Sequence, residues 1–248
     1  DNLTIRYKNF GNFEKTGQAW NAVTAGDNDL SLMDGTFGAR TGIKTYGDLC
    51  KVGLGKYNTL YETLSYGADG NFAQNANGKY ITQRYMMADG SYWRKATDNF
   101  WQNHNILSLS WVINHHFSTA ASLHYTHGYG YYNELRPNNK LSKFGLSNYT
   151  SADGTTVKRA DFIRQKGMKQ DAYGLVWNGT YKNEVLEVTA GTSLQRFSAN
   201  HFGYLTYAEA GVPGFTQQLL GNGKYQYYDS DADKDDYSGY IKATYKLT

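Results

Sequence analysis

Apolar and polar residues alternate with a period of two along much of this chain. Between Phe117 and Tyr131 the odd positions are Phe117, Thr119, Ala121, Leu123, Tyr125, His127, Tyr129 and Tyr131. The even positions are Ser118, Ala120, Ser122, His124, Thr126, Gly128 and Gly130. One side is apolar and aromatic and the other small and polar, the pattern of a strand with two different environments on its faces. Leu107, Leu109, Trp111 and Ile113 alternate in the same way with Ser108, Ser110 and Val112. The short link through Asn114, His115 and His116 predicts a long hairpin.

Four more stretches repeat the pattern. Tyr173, Leu175, Trp177 and Tyr181 alternate with Ala172, Gly174, Asn178 and Thr180, and after a brief "KNE" link a second arm runs from Leu186 to Gln195. Leu3, Ile5 and Tyr7 alternate near the start, and Tyr237, Ile241, Ala243, Tyr245 and Leu247 near the end. The chain therefore predicts about six long antiparallel strands and no amphipathic helix. Its connections are unequal: tight turns follow Asn114 and Lys182, whereas long ones run from Trp20 to Trp101, Glu134 to Lys169 and Phe197 to Asp233. Structureless loops of that length are uncommon in a compact soluble domain. Tight turns at one end and long loops at the other describe the wall of a transmembrane β-barrel, apolar face to lipid and polar face to lumen.

Periodicity also decides the meaning of the histidines. His124 and His127 stand three apart, a spacing that would bring them together on a helix but sends them to opposite faces of a strand. No shared metal site is expected there.

Composition adds limits. Mean hydropathy is −0.66, and no apolar run approaches the ~18 residues of a membrane helix, which leaves barrels open because their apolar surface lies in every second residue. The 23 Tyr, 27 Gly and 2 Pro favour β structure with aromatic interfaces. A single cysteine, Cys50, excludes an internal disulfide framework, and a net charge of +3 gives no argument for nucleic acid. The glycines are scattered singly, and no nucleophile elbow, zinc-hydrolase motif or phosphate-binding loop is present, so no enzyme and no cofactor is expected.

The run "NHNILSLSWVINHHFSTAASLHYTHGYGYYNEL" followed by "LSKFGL" resembles the barrel domain of TonB-dependent receptors of Bacteroidetes-type bacteria. So do "GNFEKTGQAWNAV", "DFIRQKGMKQDAYGLVWNGTY" and "YYDSDADKDDYSGYIKATYKL", in the same order along the chain. The resemblance implies that residues 1–248 are one part of a 22-stranded barrel of the Gram-negative outer membrane, with short periplasmic turns and long extracellular loops. The family's plug domain and TonB-engaging segment are not recognisable in the sequence, so TonB and plug are expected to act through other parts of the protein. The implied function is TonB-dependent uptake of a scarce nutrient, with iron chelates favoured over haem, cobalamin or glycans. The alternative is a small self-contained passive pore or structural barrel.

Aromatic residues expected in loops at the mouth are the candidate ligand contacts: Trp93, Trp101, Tyr132 and His201. The acidic run 229–236 is expected to be a solvated loop rim leading into the last strand. A weaker reading gives calcium to Asp229, Asp231 and Asp233, although the run lacks the glycine and terminal glutamate of an EF-hand loop. Arg6, Lys8, Lys242 and Lys246 are expected to face the lumen.

Overall fold

The computed structural model describes residues 2–17, 43, 46–57, 62–94, 96–215 and 223–247. Trp20 and most of the long connection before Trp101 up to residue 42 lie outside the described residues. In chain order the strands are β1 (Leu3–Gly17), β2 (Glu62–Leu64), β3 (Thr82–Arg84), β4 (Thr97–Val112) and β5 (Phe117–Lys140). They continue with β6 (Tyr149–Thr150), β7 (Thr156–Val157), β8 (Arg159–Lys182), β9 (Leu186–Ala208) and β10 (Tyr225–Tyr245). The described residues also include a short helix, α1 (Tyr46–Lys51), and a 3₁₀ turn (Leu141–Phe144).

The six long strands form one antiparallel sheet in the order β1-β4-β5-β8-β9-β10. Among the described residues β1 pairs only with β4 and β10 only with β9, so in this sheet those strands are the two edges. β1 and β10 are not paired with each other.

The register lines up like with like across all six strands. One row joins Tyr7, Leu107, Leu123, Leu175, Leu194 and Tyr237; the next towards the tight turns joins Ile5, Leu109, Ala121, Trp177, Thr192 and Gly239. Beyond lie Leu3, Trp111, Thr119, Gly179, Ala190 and Ile241, then Phe117, Tyr181, Val188 and Ala243. On the opposite face, the row through Ser122 joins Arg6, Ser108, Val176, Ser193 and Ser238. Slipping any strand by one residue would exchange these faces, which is why the register is tightly specified.

The apolar face has a sharp upper limit. Its next rows carry Asn9, Asn105, Tyr125, Tyr173, Arg196 and Asp235, then Asn103, His127, Asp171, Ser198 and Asp233. These side chains bond to one another: Asn9 to Asn103 and Asn105 at 3.0 and 2.8 Å, and Asp171 accepting from Tyr125 and meeting His127, both at 2.7 Å. The Tyr7 hydroxyl reaches up to Asn105 at 2.6 Å. Aromatic rings thus border the apolar band on both sides. Tyr7, Tyr125, Tyr173 and Tyr237 lie at the polar belt, and Trp111, Phe117 and Tyr181 at the turns, with Phe117 and Tyr181 4.9 Å apart. Eight residues separate the Phe117 and Tyr125 rows, about 27 Å along a strand.

Both tight turns are held by an asparagine. Asn114 Oδ1 accepts from the amides of His116 and Phe117 at 2.8 and 3.0 Å, and Asn183 Oδ1 from Val185 and Leu186 at 3.0 and 2.8 Å. Asn114→Ala should cost about 1–2 kcal/mol, read as a lower denaturant midpoint at unchanged m-value. As the alternation predicts, His124 and His127 occupy opposite faces: His127 bonds Asp171, and the His124 ring leans over Gly174, whose missing Cβ leaves it room.

The strands run well beyond their expected ends. Residues 132–140, 159–168, 197–208 and 225–236 continue β5, β8, β9 and β10 instead of forming loops, and β1 extends past Lys8 to Gly17. In β5, β8 and β9 the alternation fades there because both faces are covered. Leu135, Ile163 and Tyr207 pack on one side against Tyr85 and Trp93 from the β3–β4 connection. Phe162 and Leu205 pack on the other against Leu141, Phe144 and Val212. A strand buried on both faces loses its period.

The connecting segments contain a repeated turn that the alternation did not reveal. Ala-Asp-Gly at 68–70, 88–90 and 152–154 closes three small hairpins. In each, the Asp carboxylate accepts the amide two residues on, at 3.0, 2.9 and 3.0 Å. The glycine takes a left-handed φ of 75°, 80° and 84°, which its lack of Cβ permits.

Candidate functional site

The polar face carries one densely interacting group of ionised and phenolic side chains, at the end of the sheet away from the tight turns. Strand geometry assembles it: Tyr132, Glu134 and Arg136 alternate onto one face of β5, and Arg164 and Lys166 onto the same face of β8, opposite Glu134 and Tyr132. Glu134 is buried, its side chain 8% exposed. Its carboxylate accepts from Arg164 Nε at 2.5 Å, takes a second contact from the same guanidinium, and has Arg136 3.9 Å away. A carboxylate removed from water needs this kind of multiple compensation to stay ionised.

β10 adds two tyrosines to this packed cluster. A register shift between Gln226 and Tyr228 lets Tyr227 and Tyr228 both lie over Gly203. A Cβ on Gly203 would lie 2.2 Å from a Tyr228 ring carbon and 2.5 Å from Tyr227. Gly203→Ala should therefore cost about 1–3 kcal/mol through overpacking, seen as a lowered melting temperature with the fold retained. Lys166 Nζ lies 5.7 Å from the Tyr228 ring centroid, within cation–π range. Tyr227 sits well above the polar belt, and burial pushes its phenol up to about 12 against the pull of the Arg164 guanidinium. At neutral pH it is a hydrogen-bond donor.

Among the described residues, two polar atoms here are buried without a hydrogen-bond partner: Arg136 Nε and the Tyr227 hydroxyl. Such groups are costly to leave unmade, and both are donors. With three cationic side chains against one carboxylate, the recess has the chemistry to hold an anionic, acceptor-rich ligand against phenol rings.

No family model, curated protein or solved structure matches this chain. The chemistry of the site therefore rests on its residues alone.

The four aromatic candidates divide between the two faces. Tyr132 is a member of the recess, and His201 lies one row below on the same face, opposite Met168 and Ser230. Trp101 is on the other face, its ring 5.6 Å from His127. Trp93 is only 7% exposed and packs with Tyr85, Leu135, Ile163 and Tyr207, so it serves as core and offers no open stacking surface. Trp101, Tyr132 and His201, expected in loops, all stand on strands.

The acidic run is likewise strand rather than loop rim. Asp229 and Asp231 accept from Asn200 at 2.5 and 2.9 Å, and Asp233 accepts from Ser198 at 2.5 Å and pairs with Arg196 at 3.3 Å. Their oxygens are engaged by protein donors along β9, and among the described residues no His, Cys, Asp or Glu group has the arrangement of a cation site. The calcium reading finds no support there.

Glu134, Arg136, Arg164 and Lys166 lie beyond the strand ends that the alternation predicts, in the stretch where the pattern fades.

Proposed function

We propose that this chain is a section of the wall of an outer-membrane transport barrel, a TonB-dependent receptor that takes up a scarce nutrient. The observation that carries this reading is the apolar face: an apolar band aligned over six strands, with aromatic rings at both margins and small and polar residues opposite. Aromatic girdles around an apolar band, backed by a polar interior, are what a bilayer asks of a barrel wall. The free edges of β1 and β10 count against a self-contained pore made from this sheet alone, because hydrocarbon cannot satisfy their backbone groups. In this reading they pair with further strands of the same barrel.

The recess around Glu134 then lies on the luminal side, on the extracellular part of the wall. Its excess of positive charge and its phenols suit an anionic metal chelate, which supports iron-chelate uptake over neutral nutrients. Uptake of ⁵⁵Fe-chelates by cells carrying the full-length protein tests this reading. A TonB-dependent receptor loses uptake when a protonophore collapses the inner-membrane gradient. Uptake unaffected by the protonophore, and proportional to concentration without saturation, would instead mark a passive pore.

A further inference from the structure

Trp101 stands on the face away from the charged recess, beyond the apolar band on the side away from the tight turns. It shares a row with Phe13 and Tyr129, about 13 Å along the strands from the Tyr125 row. Trp101, Phe13 and Tyr129 are 41%, 67% and 40% exposed. Between these rings and the band lie two rows, Gly11 with Asn103 and His127, and Asn9 with Asn105 and Tyr125. Asn103 Oδ1 accepts from Asn9 and Asn105 at 3.0 and 2.9 Å, which turns its NH₂ group towards Gly11. A Cβ on Gly11 would stand 3.3 Å from Asn103 Nδ2, so the glycine leaves that amide uncovered. Among the described residues neither the Asn103 N–H groups nor the Trp101 indole N–H meets an acceptor. His127, held by Asp171 at 2.7 Å, lies edge-on to Trp101 at 5.6 Å and steadies the ring.

We propose that the outer face of β1, β4 and β5 around Trp101 and Asn103 binds the sugar headgroup of a glycolipid in the extracellular leaflet. The inference rests on the barrel-wall reading of the sheet. Short turns mark the periplasmic end of such a wall, so these rows stand at the extracellular margin, level with headgroups. Continuity selects a lipid: acyl chains on the apolar band bring their own headgroup to the rows directly beyond it. Chemistry selects a sugar. A sugar ring offers hydroxyls that both accept and donate, which suits the open Asn103 amide and the Trp101 indole N–H. Its C–H face suits the electron-rich faces of exposed aromatic rings. Charge selects an uncharged part of the headgroup. None of the nine residues in these three rows of β1, β4 and β5 is Asp, Glu, Lys or Arg, so a phosphate would find no cation among them.

The test is lipid retention by the full-length protein in phosphatidylcholine nanodiscs containing equal amounts of diglucosyldiacylglycerol and phosphatidylglycerol with matched acyl chains, measured by native mass spectrometry. The glycolipid should be retained over phosphatidylglycerol by a factor on the order of ten, the worth of about one hydrogen bond. Trp101→Ala and, separately, Asn103→Leu should each erase most of that preference, and Trp101→Phe, which keeps a ring, should retain more of it than Trp101→Ala. Equal retention of the two lipids, a preference for phosphatidylglycerol, or a preference unchanged in both Trp101→Ala and Asn103→Leu would overturn the proposal. So would displacement of the glycolipid by free maltose, because the site would then serve a soluble saccharide and not a membrane lipid. A spin label at Leu123 separates the two levels. If the label is in the bilayer and no preference appears, the glycolipid site fails alone; if it is not in the bilayer, the barrel reading fails with it.

Discussion

Leu109→Arg should destabilise the protein in a bilayer by about 2–4 kcal/mol, the range for a cation on the lipid face of a barrel near the midplane. Leu109 shares a row with Ile5 and Ala121, midway between the Phe117 row and the Tyr125 row. An arginine there is four residues from either polar margin, too far for its side chain to reach headgroups without distorting the bilayer. Its sequence neighbour provides the control. Ser108 points to the other face, where its hydroxyl lies 2.8 Å from Ser122 and its row already contains Arg6. Ser108→Arg should cost well under half as much. Denaturant titration of the full-length protein in lipid vesicles reads both values. Equal costs would mean that the two faces see the same surroundings.

Arg164→Ala should cost about 3–5 kcal/mol, because it leaves the buried Glu134 carboxylate without its closest partner. Arg136 remains 3.9 Å away and holds the loss towards the lower end of that range. The double variant Glu134→Gln with Arg164→Met should be appreciably more stable than Arg164→Ala alone, since no uncompensated charge remains. Unfolding midpoints of the three proteins decide it. If Arg164→Ala is nearly neutral, water reaches Glu134 freely and the recess is open solvent rather than a desolvated site. The double variant should also lose affinity for an anionic chelate, separating the role in binding from the role in stability.

How far the sequence could be read depended on what covers each face. Where one face is apolar and the other polar, as from Phe117 to Tyr131, alternation places every strand, hairpin and face, including the divergence of His124 from His127. Beyond Tyr131 the signal disappears for a physical reason. Leu135 and Ile163 are buried under Trp93 on one side, while Phe162 and Leu205 are buried under Phe144 on the other. Apolar residues on successive positions look like irregular chain when strand and loop are judged by alternation alone. The same loss hid the charged recess, because Glu134, Arg164 and Arg136 fall in the stretch where the pattern fades. Trp93 shows the converse limit. A tryptophan just after an Ala-Asp-Gly turn has the sequence of an exposed loop aromatic, and only its packing on Tyr207 and Ile163 reveals it as core.

In a barrel wall one face of this sheet meets lipid and the other water. Spin labels at Leu123 and Ser122, adjacent in sequence and opposite in direction, distinguish the two surroundings. Collision rates with oxygen, which partitions into bilayers, and with a water-soluble nickel chelate should be measured for the full-length protein in vesicles. A barrel wall predicts high oxygen and low nickel accessibility at Leu123, with the reverse at Ser122. Equal accessibility at the two positions, or the opposite pattern, would contradict the assignment of the faces and with it the transport reading.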